Sequence, residues 1–173
     1  MTHRILVLEG ITERGAEILR AEGWIVDMEK AWPPVELVKL GPPYDAILVR
    51  SGSQMNAEVI EAARSLKGIG RAGVGVDNVD LVAATRRGVL VMNSPGGNTV
   101  STAELAVALM LALARNLAPA DLAMKGEKWD RKSFAGVELF GKRLGVIGLG
   151  RIGREVAARC RAFGMEVQAF GQV

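Results

Sequence analysis

The chain is poor in the residues that most often announce a chemistry. Its 173 residues include one cysteine, Cys160, and one histidine, His3. A single cysteine excludes an intramolecular disulfide framework and suits a reducing compartment. Its place on an apolar helical stripe makes it core filler rather than a nucleophile. His3 precedes the first strand and reads as a solvated terminal residue, not a catalytic base. No metal site is expected. Aromatic residues make up 5% of the chain, too few to interleave with its scattered Lys and Arg. With a net charge of +3 and only a mild cluster at Lys125, Lys128, Arg131 and Lys132, a nucleic-acid surface is not expected. Trp129 suits a half-buried place in a core or an interface. The longest apolar run, Leu105 to Ala114, is too short to span a bilayer, and Met1-Thr2-His3-Arg4 leads into a strand without a secretory leader. A cytoplasmic chain with no membrane contact is the expectation.

What the sequence has is apolar residues, 49% of the total, in a regular alternation of strand and helix. The length allows one domain, or one domain and part of another. Ile5-Leu6-Val7-Leu8 reads as a parallel strand buried on both faces. A helix capped by Thr12 runs through Leu19 and ends near Gly23. Trp24 to Asp27 is a second strand. A short helix from Pro33-Pro34 through Leu40 is broken by Gly41-Pro42-Pro43. Ala46 to Val49 is a third strand, and Asn56 caps a helix through Ala63. Ile69 to Arg71 is a fourth strand. Asp77 or Asn78 caps a helix through Arg87, and Val89 to Met92 is a fifth strand. Such alternation predicts an α/β fold with a parallel sheet covered on both faces, in the flavodoxin-like order 2-1-3-4-5.

Asn93-Ser94-Pro95-Gly96-Gly97-Asn98 cannot continue a strand and marks a boundary, so residues 1–97 form the first domain. Residues 98–141 hold a long helix, from about Thr99 to Asn116, and a connection. Ser101 and Glu104 have capping-box spacing at the helix start. The helix is apolar on every side and is expected to be buried all round, between layers or between chains. Pro119 starts a shorter helix to about Lys125, and Lys128 to Lys142 is irregular.

Residues 142–173 read as a partial Rossmann βαβ unit. The strand Lys142 to Ile147 runs into Gly148-Leu149-Gly150-Arg151-Ile152-Gly153, which fits G-x-G-x-x-G. The following helix carries Ile152, Val156, Ala157, Cys160 and Phe163 on its apolar face, and Gly164 ends it. Gly148 permits the turn, Gly150 lets the backbone approach a pyrophosphate, and Gly153 lets the helix pack on the strand. The helix N-terminus offers free N–H groups to phosphates; the competing reading is a glycine-rich turn with no ligand. The acidic residue expected about 20 residues on, for the ribose hydroxyls, is absent. Phe170-Gly171-Gln172-Val173 stands there, and Glu166 sits at the wrong end of the strand.

Ligands of open parallel sheets bind beyond the carboxyl ends of the strands. Arg50-Ser51 and Gly73-Val74-Gly75 both fall there. Arg50 offers a planar donor fork to a carboxylate or phosphate, and residues 73–75 can present backbone N–H groups as an anion nest. The alternative is an arginine in solvent beside an ordinary turn.

Gly70-Arg71-Ala72-Gly73-Val74-Gly75-Val76-Asp77-Asn78-Val79-Asp80 resembles the substrate-loop segment of the D-2-hydroxyacid dehydrogenase family. The stretch from Val91 to Leu105, Lys128-Trp129-Asp130-Arg131-Lys132-Ser133-Phe134, Gly141-Lys142 and Gly148 to Gly153 resemble the D-3-phosphoglycerate dehydrogenase branch of that family. The resemblance covers essentially the whole chain and matches the N-terminal half of such enzymes. It implies oxidation of 3-phosphoglycerate to 3-phosphohydroxypyruvate with NAD, in serine synthesis. It also implies Arg50, Ser51, Gly73, Val74 and Gly75 at the substrate site, with Arg151 and Ile152 against the cofactor's pyrophosphate. The long helix would belong to a subunit interface. Val74 stands where the family often has threonine, and Gly171 where it has the ribose-binding aspartate. The family's catalytic arginine, glutamate and histidine lie beyond residue 173, so no catalytic residue is expected in this chain. The resemblance thus suggests a folded, inactive module, or an oxidoreductase active only when a partner completes it. NAD binding is expected to be weak or absent. The expected partners are a small anion or 3-phosphoglycerate, and a second copy joined through residues 99–173.

Overall fold

The computed structural model describes residues 2–39 and 43–171. Leu40, Gly41 and Pro42, where a helix end is predicted, lie outside the described residues, as do Gln172 and Val173. The chain divides into two compact units, Met1–Gly97 and Asn98–Val173.

The first unit alternates β1 (Arg4–Leu8), α1 (Glu13–Ala21), β2 (Ile25–Glu29), α2 (Pro34–Lys39), β3 (Ala46–Val49), α3 (Ala57–Ala62), β4 (Gly68–Arg71), α4 (Leu81–Arg87) and β5 (Leu90–Asn93). Every pairing is parallel and the order is β2-β1-β3-β4-β5, as the alternation predicts. After Arg4, every residue of β1 is buried, which is why this strand reads as a continuous apolar run. Leu6, Leu8, Ile47, Val49 and Ile69 share one core with Val59 and Ile60 of α3 and Ala83 and Ala84 of α4. The small alanines let α4 lie close to the sheet. The register pairs Val49 with Arg71 and Arg71 with Asn93, so β3, β4 and β5 end level and their following loops share one edge.

Asn56 caps α3 as expected, its Oδ1 accepting from the Val59 N–H at 3.0 Å. Neither Asp77 nor Asn78 caps α4. Asp80 does, accepting from the Ala83 N–H at 2.9 Å, and Asn78 is buried with its amide engaged elsewhere. His3 also departs from expectation. Its ring meets Trp24 edge-on at 5.9 Å, and Nδ1 lies 3.5 Å from Asp45. A residue at a strand's start still has a sheet face beside it, and Trp24 turns that face into a ring contact.

The second unit holds α5 (Thr99–Ala114), α6 (Leu117–Lys125), β6 (Arg143–Ile147), α7 (Arg151–Ala162) and β7 (Glu166–Phe170). β6 and β7 pair in parallel on either side of α7 in sequence, completing a βαβ unit. Val107 on α5, Leu139, Cys160 on α7 and Met165 form a small core, with Met110, Leu111, Val156 and Val167 packed against it. Ala103 and Val107, one turn apart, are the buried stripe of α5.

The capping box does not form: α5 starts at Thr99, so Ser101 lies in its first turn and donates to the Asn98 carbonyl at 3.1 Å, while Glu104 lies 3.8 Å from Arg159. Within one chain α5 is covered on one stripe only, Leu109 being 61% and Leu113 82% exposed, so of the two expected settings burial between layers is not found. Trp129 is 76% exposed in the single chain, so the irregular connection carries it outside the small core. α5 ends at Ala114, close to the expected end, and Asn116 with a φ of 51° breaks the helix; α6 departs at 65°, with Pro119 inside its first turn. The connection is pinned by the Val137 N–H donating to Ala114 O at 2.8 Å and Asn116 Nδ2 to Ala135 O at 3.1 Å. Among the described residues no single helix is long and apolar enough to cross a membrane.

At the amino ends of the strands, Asp45 accepts from the Arg4 N–H at 2.9 Å and from Lys67 Nζ at 2.7 Å, joining β1, β3 and β4. The Lys67 ammonium and the Arg4 amide, with a lesser part from His3, hold its carboxyl down to about 2 against the opposing effect of burial. A depressed folded pKa contributes stability above the ordinary carboxylate value that is lost as the pH falls through the folded value. Chemical denaturation of the wild type between pH 4 and pH 2 should therefore show a falling stability to which Asp45 contributes. Asp45→Asn should be less stable at pH 6 and show a shallower fall; an unchanged slope would remove Asp45 from the account.

Candidate functional site

The carboxyl edge of the five-stranded sheet brings together the loops after β1, β3, β4 and β5. Arg50 is the first residue past β3 and is exposed. Among the described residues its guanidinium makes no hydrogen bond or ion pair, so its planar fork is open to an anion. Ser51 follows, also exposed.

The turn behind these two residues is held from both sides. Glu9, just past β1, has a φ of 66° and Gly10 a φ of 69°. The Glu9 carboxylate accepts the Gly52 N–H at 2.7 Å and the Ser53 N–H at 2.5 Å. Partial burial pushes the Glu9 pKa up, but hydrogen bonds from Ser53, Gly52 and Arg50 outweigh it and leave it below the usual carboxylate value. From the opposite side, Asn78 Nδ2 donates to the carbonyls of Arg50 at 2.6 Å and Ser53 at 2.7 Å. The Met55 N–H donates to Asn78 O at 2.8 Å, and the Asp80 N–H to Met55 O at 2.9 Å. The loops after β3 and β4 are thus joined through Asn78.

Gly73, Val74 and Gly75 form the loop after β4, but not as the open nest their sequence suggests. The Gly73 N–H is already taken by Arg71 O at 2.8 Å. Its carbonyl accepts the Ser94 N–H at 2.9 Å, and the Val74 carbonyl accepts Asn93 Nδ2 at 2.6 Å. Among the described residues the N–H groups of Val74 and Gly75 have no partner in the chain. The Arg71 guanidinium lies over Gly73, where a Cβ would fall 1.9 Å from Nη1. A side chain at Gly73 would displace that cation. Arg71 Nε is itself buried without a hydrogen bond among the described residues. The edge therefore offers two guanidiniums and a short run of N–H groups.

Reading the sequence locates Arg50, Ser51 and residues 73–75 by their place after strands. It misses Glu9, Arg71, Asn78 and Asn93. Arg71 lies within the strand pattern, and Asn78 resembles a helix cap. Only the acidic residue followed by glycine directly after β1 carries a sequence signal, because such a pair at a strand's carboxyl end fits a left-handed turn.

In the second unit, Gly148 has a φ of 94°, which a residue with a side chain would adopt only at a cost. A Cβ at Gly153 would fall 2.3 Å from Gly148 O and 3.2 Å from Val146, so helix and strand meet closely there. A Cβ at Gly150 would meet nothing within 4 Å. The chain's own packing does not require a glycine at that position; space is left open beside the helix start. The first intrahelical bond runs from the Arg154 N–H to Gly150 O at 3.0 Å, so the earlier N–H groups of α7 point out of the helix end. Arg151 is exposed and Ile152 half-buried at this end. This turn fits a pyrophosphate. The ribose position fits poorly. Gly171 supplies no carboxylate, and a Cβ there would lie 3.3 Å from Gly148 Cα, a contact that demands a small shift.

Residues 5–170 match the catalytic domain of the D-isomer specific 2-hydroxyacid dehydrogenases. The D-3-phosphoglycerate dehydrogenase of Archaeoglobus fulgidus is 54% identical over 167 residues, 96% of this chain and 32% of that protein. The Rattus norvegicus D-3-phosphoglycerate dehydrogenase is 47% identical over 170 residues, 98% of this chain and 32% of that protein. The chain thus spans about a third of the length of these curated relatives. Among solved structures, the TT0316 protein of Thermus thermophilus superposes with a TM-score of 0.90 at 35% identity, over 98% of this chain and 57% of that one. The NAD+-bound 3-phosphoglycerate dehydrogenase of Entamoeba histolytica gives 0.80 at 29% identity, over 99% and 54%. With nearly its whole described length inside one family's catalytic domain, the chain belongs to the D-isomer specific 2-hydroxyacid dehydrogenases.

Proposed function

We propose that this chain is the substrate-binding part and opening βαβ unit of an NAD-dependent D-3-phosphoglycerate dehydrogenase. Such an enzyme oxidises 3-phosphoglycerate to 3-phosphohydroxypyruvate, a step toward serine. The observation that carries this reading is Arg50, a guanidinium with no partner among the described residues, at the sheet edge where Arg71 and the 73–75 loop also end. A phosphorylated hydroxyacid carries two anionic groups, and this edge offers two cationic forks. The names and identities of the relatives support the same substrate.

This segment by itself binds without turning over. Removing hydride from C2 calls for a base on the neighbouring hydroxyl, help usually contributing about 10²–10⁴-fold. The one histidine, His3, precedes β1 and so lies at the opposite edge of the sheet from Arg50. The remaining length of such an enzyme would supply the acid–base pair, and the chain joined to it would be an active oxidoreductase. Inorganic phosphate or 3-phosphoglycerate should shift the NMR signals of Arg50 and of residues 73–75. Arg50→Ala should abolish that response; an unchanged titration would place the anion elsewhere.

NAD binding to this segment is weak or absent. The G-x-G-x-x-G turn supplies phosphate contacts, but the carboxylate for the ribose is missing at Gly171. A hydrogen bond to a charged group contributes about 1.5–3 kcal/mol, so its loss costs about 10- to 150-fold in affinity. Calorimetry should find an affinity weaker than micromolar, and Gly171→Asp should recover only part of it, because its Cβ presses on Gly148. Micromolar binding by the wild type would overturn this.

The segment assembles as a homodimer through residues 99–173. Leu105, Leu109 and Leu113 form an exposed line on α5, and Ile147 and Phe170 at the strand ends are 91% and 80% exposed. Apolar surface of that extent is seldom left in water. Light scattering at micromolar concentration should give a dimer, and Leu109→Lys with Leu113→Lys should give a folded monomer. A wild-type monomer would refute the assembly.

A further inference from the structure

We propose that Glu9 is the positioning residue of the anion site, a built-in carboxylate that holds the Arg50–Ser53 turn and keeps an incoming anion off it. This rests on the anion-binding reading of Arg50.

Four observations carry it. First, a non-glycine residue at a φ of 66° sits in a conformation that side chains disfavour, and the Glu9 N–H is fixed there by Glu29 O at 3.1 Å. A plain turn after β1 would be more stable with glycine, so the glutamate side chain has a task. Second, both carboxylate oxygens are used, one on the Gly52 N–H and the other on the Ser53 N–H. Third, the turn is shaped to receive it: a Cβ at Gly52 would fall 3.0 Å from Glu9 Oε2, and Ser53 is fully buried. Fourth, the carbonyls of Arg50 and Ser53 are held from the other side by the buried Asn78 amide. Donors and acceptors of one short turn are thus fixed by two different side chains. Among the described residues Glu9 makes no ion pair, so its charge is balanced by backbone dipoles.

The consequence is one of register. Two adjacent N–H groups at a sheet's carboxyl edge are themselves an anion cradle. Left empty, they would compete with Arg50 for a phosphate or carboxylate a few residues away. Filled by Glu9, they are closed to an anion, which is left to the exposed Arg50 guanidinium and its neighbour Ser51.

Glu9→Gly tests this in the full chain, because glycine tolerates the backbone conformation and the variant is expected to fold. In the wild type, inorganic phosphate should move the Arg50 signals and leave the Gly52 and Ser53 amides in place. In Glu9→Gly, phosphate should move the Gly52 and Ser53 amides, and the affinity reported by Arg50 should fall at least tenfold. Formate, a free carboxylate, should refill the emptied turn and restore the Arg50 response, which a merely structural loss would not allow. If Glu9→Gly binds phosphate at Arg50 with unchanged affinity, or if formate does not restore it, the positioning role is overturned while the anion site stands. If the wild type shows no phosphate response at Arg50, the anion site itself fails, and the role of Glu9 with it.

Discussion

Parallel strands all run out at the same edge, and there the ladder of backbone hydrogen bonds stops. Each N–H and carbonyl past that point must find a partner outside the sheet or face water at some cost. The first unit meets this constraint with side chains. Glu9 takes two amides, Asn78 two carbonyls and Asn93 one more. The groups left over are the ones a ligand can use. The βαβ unit meets the same constraint differently: its glycine turn leaves the amides at the start of α7 outside the helix, with no side-chain cap at Gly150.

Much of this was legible in the sequence, because the signals were local. Short apolar runs such as Ile5 to Leu8 and Ala46 to Val49, separated by helical periods, mark strands of the first unit, and the alternation predicts their parallel order. The G-x-G-x-x-G turn was legible for the same reason, since the strand, turn and helix are contiguous. The misreadings concern residues whose roles depend on partners distant in sequence. Asn78 looks like a cap because Asp77 and Asn78 precede a helix, but its amide is drawn to carbonyls 25 and 28 residues away. Arg71 is the last residue of a strand, and nothing in the sequence says its guanidinium folds back over Gly73. Residues 73–75 promised three open amides, and one closes on its own strand.

α5 shows the limit of periodicity. A helix with leucine and alanine on every side carries no directional signal, so the sequence cannot say which stripe meets the core. In the structure Ala103 and Val107 are buried, Met110 and Leu111 pack beside them on the same core, and Leu105, Leu109 and Leu113 are left outside. The break near Asn116 was legible from Pro119, but not its tie to the connection at residues 135–137, which crosses the helix end.

Gly150 separates two kinds of constraint that usually coincide. Its neighbour Gly153 is dictated from within, since a methyl group there would strike the preceding turn. Gly150 faces empty space in a conformation that other residues accept. A survey of variants scored by protein abundance would therefore report position 150 as permissive and position 153 as closed. Scored by nucleotide retention in the longer enzyme we propose, both would be closed. The disagreement between the two surveys at a single residue would mark where the chain's architecture yields to the shape of a dinucleotide.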